Sequence, residues 1–296
     1  MANSMQSEPQ PPAAAQRQLG PIPPDDILIR IGVDPTLTPE ARIEEFERVG
    51  EAAYRDILGA AEALERPLAA LDFGCGSGRV MRWFLQHGDI ALTGCDIHQP
   101  TIDWMASQYP ADVRLYANNP DPPLPELAET FDLVYCGSVF SHLPDWAPWL
   151  LELRRVLKPG GLLVASIHGS GLWQFGEAGK RGVPWDEDKT GLLVERYGDD
   201  FDESWGPAVY VSEWWLREHW GRAFDIVRFE PTGFALPDNR SAGQAWVVAR
   251  RPEETSGPAP TLDELRAPGS DPREVEAALR GQWLAYEESS QLRRGG

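Results

Sequence analysis

Basic residues are scarce in this 296-residue chain: 27 Lys and Arg stand against 46 Asp and Glu, a formal net charge of −19. Nucleic-acid sites need clustered Lys and Arg, so the balance argues against broad phosphate-backbone binding. It argues equally against docking on an anionic membrane surface. Cysteine is almost missing. Cys75, Cys95 and Cys136 are the three, with no C-x-x-C spacing, so a metal or dithiol framework gives way to small buried hydrophobes. No apolar run reaches transmembrane length, and the first residues lack a basic-then-apolar leader. The expectation is a cytoplasmic protein, monomer or homodimer, without nucleic-acid, membrane or metal partners. The G-x-x-x-x-G-K-[ST] signature of a phosphate-cradling loop is absent too.

What is present is a glycine turn. Leu71-Asp72-Phe73-Gly74-Cys75-Gly76-Ser77-Gly78-Arg79 follows an apolar stretch and opens a helical pattern, and Asp96 ends the next apolar stretch. Alternating glycines let a backbone pass close to a ligand, and an acid ending the second strand can accept hydrogen bonds from a ribose. A dinucleotide fingerprint needs its third glycine three residues after the second. Here Gly78 comes after two, and Arg79 stands where tight helix–sheet packing is required. The spacing therefore points to a nucleoside cofactor other than NAD or FAD.

Residues 1–24 are rich in Pro, Ala and Gln and read as a disordered segment. Residues 25–66 read as a helical cap, with Thr38 as N-cap before Pro39. Strands are expected near 68–74, 91–96, 112–117, 131–136, 160–168, 224–231 and 244–250. Helices are expected near 77–87, 99–108 and 145–157, with a further one capped at Ser212 and stopped by Gly221. Such alternation means an α/β fold with a doubly wound, mostly parallel sheet. An insertion over 170–211 carries Trp173, Phe175, Trp185, Tyr197, Phe201, Trp205 and Tyr210. It is a candidate lid, or else a satellite core. Residues 252–296 read as a linker and a helix over 272–288, with Val275, Leu279 and Trp283 on one stripe.

The D-x-G-x-G-x-G run with Asp96, the strand Phe131–Cys136 and the turn Leu157-Lys158-Pro159-Gly160-Gly161 together resemble the class I S-adenosylmethionine-dependent methyltransferases. The resemblance implies a seven-stranded Rossmann-like sheet over residues 25–251, its last two strands the sixth and seventh with one antiparallel, and S-adenosylmethionine as cofactor. It implies that backbone N–H groups of Gly74, Gly76 and Gly78 approach the methionyl part and that Asp72 orders this loop or meets the cofactor's amino group. Cys75 lies beside them. Asp96 would accept from the ribose hydroxyls and Ile97 would pack on the adenine. Family members usually end the third strand in an acid that receives the adenine amino group; here Asn118 and Asn119 stand there, and an amide oxygen accepts without charge. Ser138 would touch the cofactor through its backbone.

The runs GCDIHQPTIDWM (94–105), NPDPPLPE (119–126), FDLVYCGSVFSHL (131–143), WLLELRRVLKPGG (149–161) and SIHG (166–169) carry a finer resemblance, over about residues 22–170, to a bacterial subgroup associated with glycosyl and polysaccharide biosynthesis. It implies O-methylation of a sugar-containing small molecule, with an aromatic natural product, a carboxylate acceptor and a non-catalytic partner subunit as alternatives. For a hydroxyl acceptor a base is needed. His142 and His168 follow neighbouring strands and are the candidates, with His168 slightly preferred; a structural hydrogen-bonding role for His142 stays open.

Overall fold

Apolar runs bounded by glycine, proline and acids become strands stacked side by side. The computed structural model describes residues 18–30, 33–195, 207–236, 243–253 and 258–294. Its strands are β1 (Leu68–Phe73), β2 (Ile90–Asp96), β3 (Arg114–Ala117), β4 (Phe131–Cys136), β5 (Leu157–Ile167), β6 (Leu192–Glu195), β7 (Ala208–Val211), β8 (Asp225–Glu230) and β9 (Ala245–Arg250). Seven form one sheet in the order β3-β2-β1-β4-β5-β9-β8, while β6 and β7 pair separately. β1 to β5 run parallel, and β9 is antiparallel to both β5 and β8. The strand order reverses between β1 and β4, which leaves a crevice outside their carboxyl ends.

The helices are α1 (Asp25–Arg30), α2 (Pro39–Ala60), α3 (Met81–Phe84), α4 (Gln99–Gln108), α5 (Trp146–Val156), α6 (Glu177–Lys180), α7 (Glu213–Trp220), α8 (Leu262–Arg266) and α9 (Arg273–Arg294). Ala53 and Ile57 of α2, Phe84 of α3 and Met105 of α4 pack on one face of the sheet, against Ala70, Leu92 and Leu133. Leu150 and Leu153 of α5 and Leu216 of α7 pack on the other, against Leu71, Val134 and Leu163. Each of the Leu, Ile, Val, Phe and Met side chains among them contributes about 1.5–3 kcal/mol by leaving water. α2 starts as its sequence indicates: Thr38 Oγ1 accepts from Ala41 N–H at 3.3 Å. Arg42 of α2 holds Asp25 of α1 bidentately, at 2.6 and 2.7 Å, which ties the N-terminal helices together.

Several local expectations change. The helix expected over 77–87 shrinks to the single turn of α3, because Gly76 and Gly78 take positive φ and hold the chain in turns before it. Ser212 precedes α7 without a side-chain capping bond. The 170–211 insertion is ordered where described: α6 and the β6–β7 hairpin surround a small core of Trp173, Ala178, Ala208 and Tyr210. Tyr197, Phe201 and Trp205 lie outside the described residues, as do residues 1–17 of the N-terminal segment. The last helix is longer than expected, and it rests on its own chain. Leu284 is buried in the satellite core, and Arg280 Nη2 donates to the Pro184 carbonyl at 2.6 Å. The stripe of Val275, Leu279 and Trp283 faces outward. No helix among the described residues is long and apolar enough to cross a membrane.

Candidate functional site

The crevice holds a cavity of about 730 Å³. Its floor is the glycine turn after β1 with Asp72, Asp96 and Ile97, and its walls include Asn118, Ser138 and His142. Val49 and Ala53 of α2 and the loop joining β8 to β9 close over it. Ala235 N–H of the loop donates to Asp56 Oδ2 of α2 at 3.1 Å, a bond that links these two covers.

The glycine turn is built by its own hydrogen bonds. Gly74 and Cys75 both donate to the Cys95 carbonyl, at 2.8 and 2.9 Å, and Gly78 donates to Cys75 at 2.8 Å. Gly76 N–H donates to Asp96 Oδ2 at 2.9 Å. The N–H groups expected to reach toward a ligand are thus engaged by the protein itself, those of Gly74 and Gly76 by Cys95 and Asp96 of β2 and that of Gly78 within the turn. The glycines supply conformation and room instead. Gly74 has φ +74, and a Cβ there would overlap Val139. Gly78 has φ +79 and does not line the cavity; a Cβ there would overlap the Tyr109 hydroxyl. It holds the turn against α4.

Asp96 is anchored on both oxygens, by Gly76 N–H and by His98 N–H at 2.8 Å. A carboxylate has about four lone-pair sites, so each anchored oxygen can accept once more. Beside it Ile97 is 63 % exposed, an apolar side chain turned to the cavity. Asn118, just past β3, donates from Nδ2 to the Asn119 carbonyl at 2.8 Å, which fixes its amide orientation. Its Oδ1 is buried with no hydrogen-bond partner. Asn119 is exposed and off the cavity wall. Burial pushes the Asp72 carboxyl well above the usual carboxylate range, the Tyr135 hydroxyl opposes this, and the Asp96 charge adds to it. The Cys75 thiol is pushed up chiefly by burial, and Cys95, likewise, to about 12. Buried and protonated, these cysteines behave as small hydrophobes.

The two histidines separate. His142 lines the cavity, and its Nδ1 is 3.1 Å from the Pro207 carbonyl. A carbonyl only accepts, so Nδ1 carries the proton and, in the neutral ring, Nε2 keeps a lone pair. Burial holds this ring below the ordinary histidine value, and the Pro207 carbonyl opposes the shift. His168 was expected to face the pocket and does not. It is 2 % exposed, off the cavity wall, and packed between His142 and Tyr210 at ring distances of 5.4 and 5.3 Å. The β6–β7 hairpin covers it through a bridge between His168 and Tyr210. Burial, then the His142 charge, brings its pKa to about 3. A group so buried and so weakly basic is unsuited to take a substrate proton.

Several cavity residues were not singled out from sequence. Ser77 lines the cavity with its Oγ buried and without a hydrogen-bond partner. Arg79, at the position a third fingerprint glycine would take, lines the cavity, with its guanidinium 5.7 Å from the Phe46 ring centre. Burial lowers its pKa to about 10, which leaves it cationic. Arg30, Phe234 and Gln244 reach the wall from segments far apart in sequence. Of the described insertion residues only Leu172 touches the cavity; Trp173, Trp185 and Tyr210 pack in the satellite core.

Residues 71–165 match the methyltransferase domain family. The chain is 31% identical over 99 residues to the ubiquinone biosynthesis O-methyltransferase of Coxiella burnetii, covering 32% of this chain and 42% of that one. It is 31% identical over 109 residues to the 2-methyl-6-phytyl-1,4-hydroquinone methyltransferase of Synechocystis, covering 36% of this chain and 34% of that one. The chain thus spans less than half the length of these curated relatives. Among solved structures, the Burkholderia thailandensis 1,6-didemethyltoxoflavin-N1-methyltransferase, with 1,6-didemethyltoxoflavin and S-adenosylhomocysteine bound, superposes with a TM-score of 0.51 at 18% identity, over 83% of this chain and 100% of that one. The fold is the Rossmann-like fold of class I methyltransferases.

Proposed function

We propose that this chain is an S-adenosylmethionine-dependent methyltransferase that acts on a hydroxyl of a small, flat, largely apolar acceptor such as a phenol or hydroquinone. One observation carries the proposal: a single cavity combines a nucleoside-type site on the β2–β3 side with a tautomer-fixed histidine on the β4 side. The cofactor fits the first of these. Asp96 has lone pairs left for ribose hydroxyls, Ile97 offers an exposed apolar face for the adenine, and the orphaned Asn118 Oδ1 suits the adenine amino group. Ser77 Oγ and the Arg79 guanidinium stand near the glycine turn for the polar methionyl end.

When bound, the cofactor supplies an electrophilic methyl group on a sulfonium. The chain's own residues align the acceptor, exclude water and move one proton. His142 Nε2 takes the proton that leaves the acceptor hydroxyl, and the Pro207 carbonyl holds the ring ready by keeping Nδ1 protonated. Val139, Leu143, Leu172, Phe234 and Leu236 make this part of the wall apolar. A sugar would lose hydration of several hydroxyls against such a wall, at about 1–3 kcal/mol for each left unpaired. A flat ring would not. The names of the curated relatives point the same way, and the sugar expectation gains no support from them.

The test is incubation with methyl-labelled cofactor and a panel of phenols, hydroquinones and nucleotide sugars, read by mass. Labelled methyl ether on a phenol or hydroquinone is expected. Label on a sugar, with none on any phenol, would reverse the acceptor reading.

A further inference from the structure

Three polar side chains from three strand ends form a closed ring on the cavity wall. Ser138 N–H donates to Ser166 Oγ at 2.7 Å, Ser166 Oγ–H donates to Gln244 Oε1, and Gln244 Nε2 donates to Ser138 Oγ at 2.6 Å. The direction of this ring is not arbitrary. Ser166 is 0 % exposed, so its hydroxyl hydrogen must find an acceptor inside the ring. Gln244 Oε1 is that acceptor, which fixes the amide orientation. Two hydrogens are then unassigned: the Ser138 hydroxyl hydrogen and the second Nε2 hydrogen of Gln244. Both residues line the cavity.

The backbone here is held in an uncommon state. Ser138 has φ +58, a left-handed conformation that a serine adopts only when its surroundings impose it. Two of the ring's three bonds end on this residue, one on its backbone N–H and one on its hydroxyl. The Phe234 ring lies over the neighbouring Gly137, where its Cε1 is 3.6 Å from the position a Cβ would take. An aromatic face thus borders the two donors, and His142 stands one turn further along the chain.

We infer that Ser138 and Gln244 form an acceptor-recognition pair, which binds a second oxygen on a phenolic acceptor (a carbonyl, ether or further hydroxyl) while His142 receives the reacting hydroxyl. This rests on the methyltransferase reading above and adds the acceptor's second functional group. Each neutral hydrogen bond is worth roughly three- to tenfold in affinity, so two donors give roughly ten- to a hundredfold.

The experiment loads the protein with S-adenosylhomocysteine and titrates the three hydroxyacetophenone isomers and the three matching ethylphenols by calorimetry. At least one hydroxyacetophenone is expected to bind tenfold or more tightly than its ethylphenol partner. Gln244→Glu keeps the shape and accepts from both serines, so it removes both donors from the cavity. It should abolish the preference while the unfolding midpoint and S-adenosylhomocysteine affinity are retained. Gln244→Met removes the amide donor and leaves the Ser138 hydroxyl, so it should cut the preference to roughly three- to tenfold. Equal affinity within every pair, no binding of any of the six, a preference that survives in Gln244→Glu, or an undiminished preference in Gln244→Met overturns the inference and leaves the methyltransferase reading standing. Failure to bind S-adenosylhomocysteine overturns both.

Discussion

Replacing His168 by Gln should flatten the acid side of the protein's stability curve. The folded-state pKa of His168 is about 3, against an ordinary value of 6.5, because burial first and the His142 charge second disfavour the imidazolium. A depressed pKa means that the fold holds the ring neutral. Below 6.5 the unfolded chain binds a proton that the folded chain refuses until about 3. The stabilisation from a neutral His168 is therefore complete above 6.5 and is lost as pH falls from there toward 3. Over the whole window the loss is roughly 5 kcal/mol, and between about pH 7 and about pH 5 it is about 2 kcal/mol. The assay is urea unfolding followed by the fluorescence of the 12 Trp residues, at both pH values, for wild type and His168→Gln. Titrating groups remote from His168 cancel in the difference between the two proteins, and the neighbouring His142 is coupled to it. Wild-type stability should fall by about 2 kcal/mol more than that of the variant over this span. Parallel loss in the two would show that His168 is not held neutral by its surroundings, and the case against it as the base would fail.

Other expectations follow from the same geometry. His142→Ala should lower kcat by about 10²–10⁴ while S-adenosylhomocysteine affinity is retained; unchanged turnover would remove His142 as base. Because burial depresses its pKa, the wild-type rate should rise with pH through an inflection below the ordinary 6.5. A rate profile with its inflection above that value would contradict the assignment. Asp96→Ala should weaken S-adenosylhomocysteine binding by about 1–3 kcal/mol in calorimetry, and equal affinity would deny the ribose role. Gly74→Ala places a Cβ onto Val139 at φ +74, so unfolding experiments should find a loss of about 1–3 kcal/mol. An unchanged midpoint would show that the turn tolerates the side chain.

The glycine turn and Asp96 were legible in sequence because their chemistry is local: a strand, a turn that needs positive φ, and an acid ending the next strand. The strands were legible because both faces of the sheet are covered, which makes β1, β4 and β5 nearly continuous apolar runs. The roles of His142 and His168 were not. Each follows a sheet strand, and position along the chain cannot say which one the β6–β7 hairpin covers. That depends on Tyr210, more than forty residues beyond His168, closing over it. Gln244 was equally hidden, since its place beside Ser138 exists only once β9 enters the sheet antiparallel to β5. The place of Arg79 on the cavity wall was hidden as well, since its guanidinium is set beside Phe46 only once α2 packs there. Local geometry could be read from the sequence, and long-range closure could not.

The central claim is that the cavity at the ends of β1, β2 and β4 holds a nucleoside cofactor in order to deliver a methyl group. Calorimetric titration of the purified protein with S-adenosylhomocysteine tests it most directly. One saturable site with a Kd of about micromolar order is expected, weakened about five- to 150-fold by Asp96→Ala. No detectable heat up to about millimolar ligand, from protein shown to be folded, would contradict it.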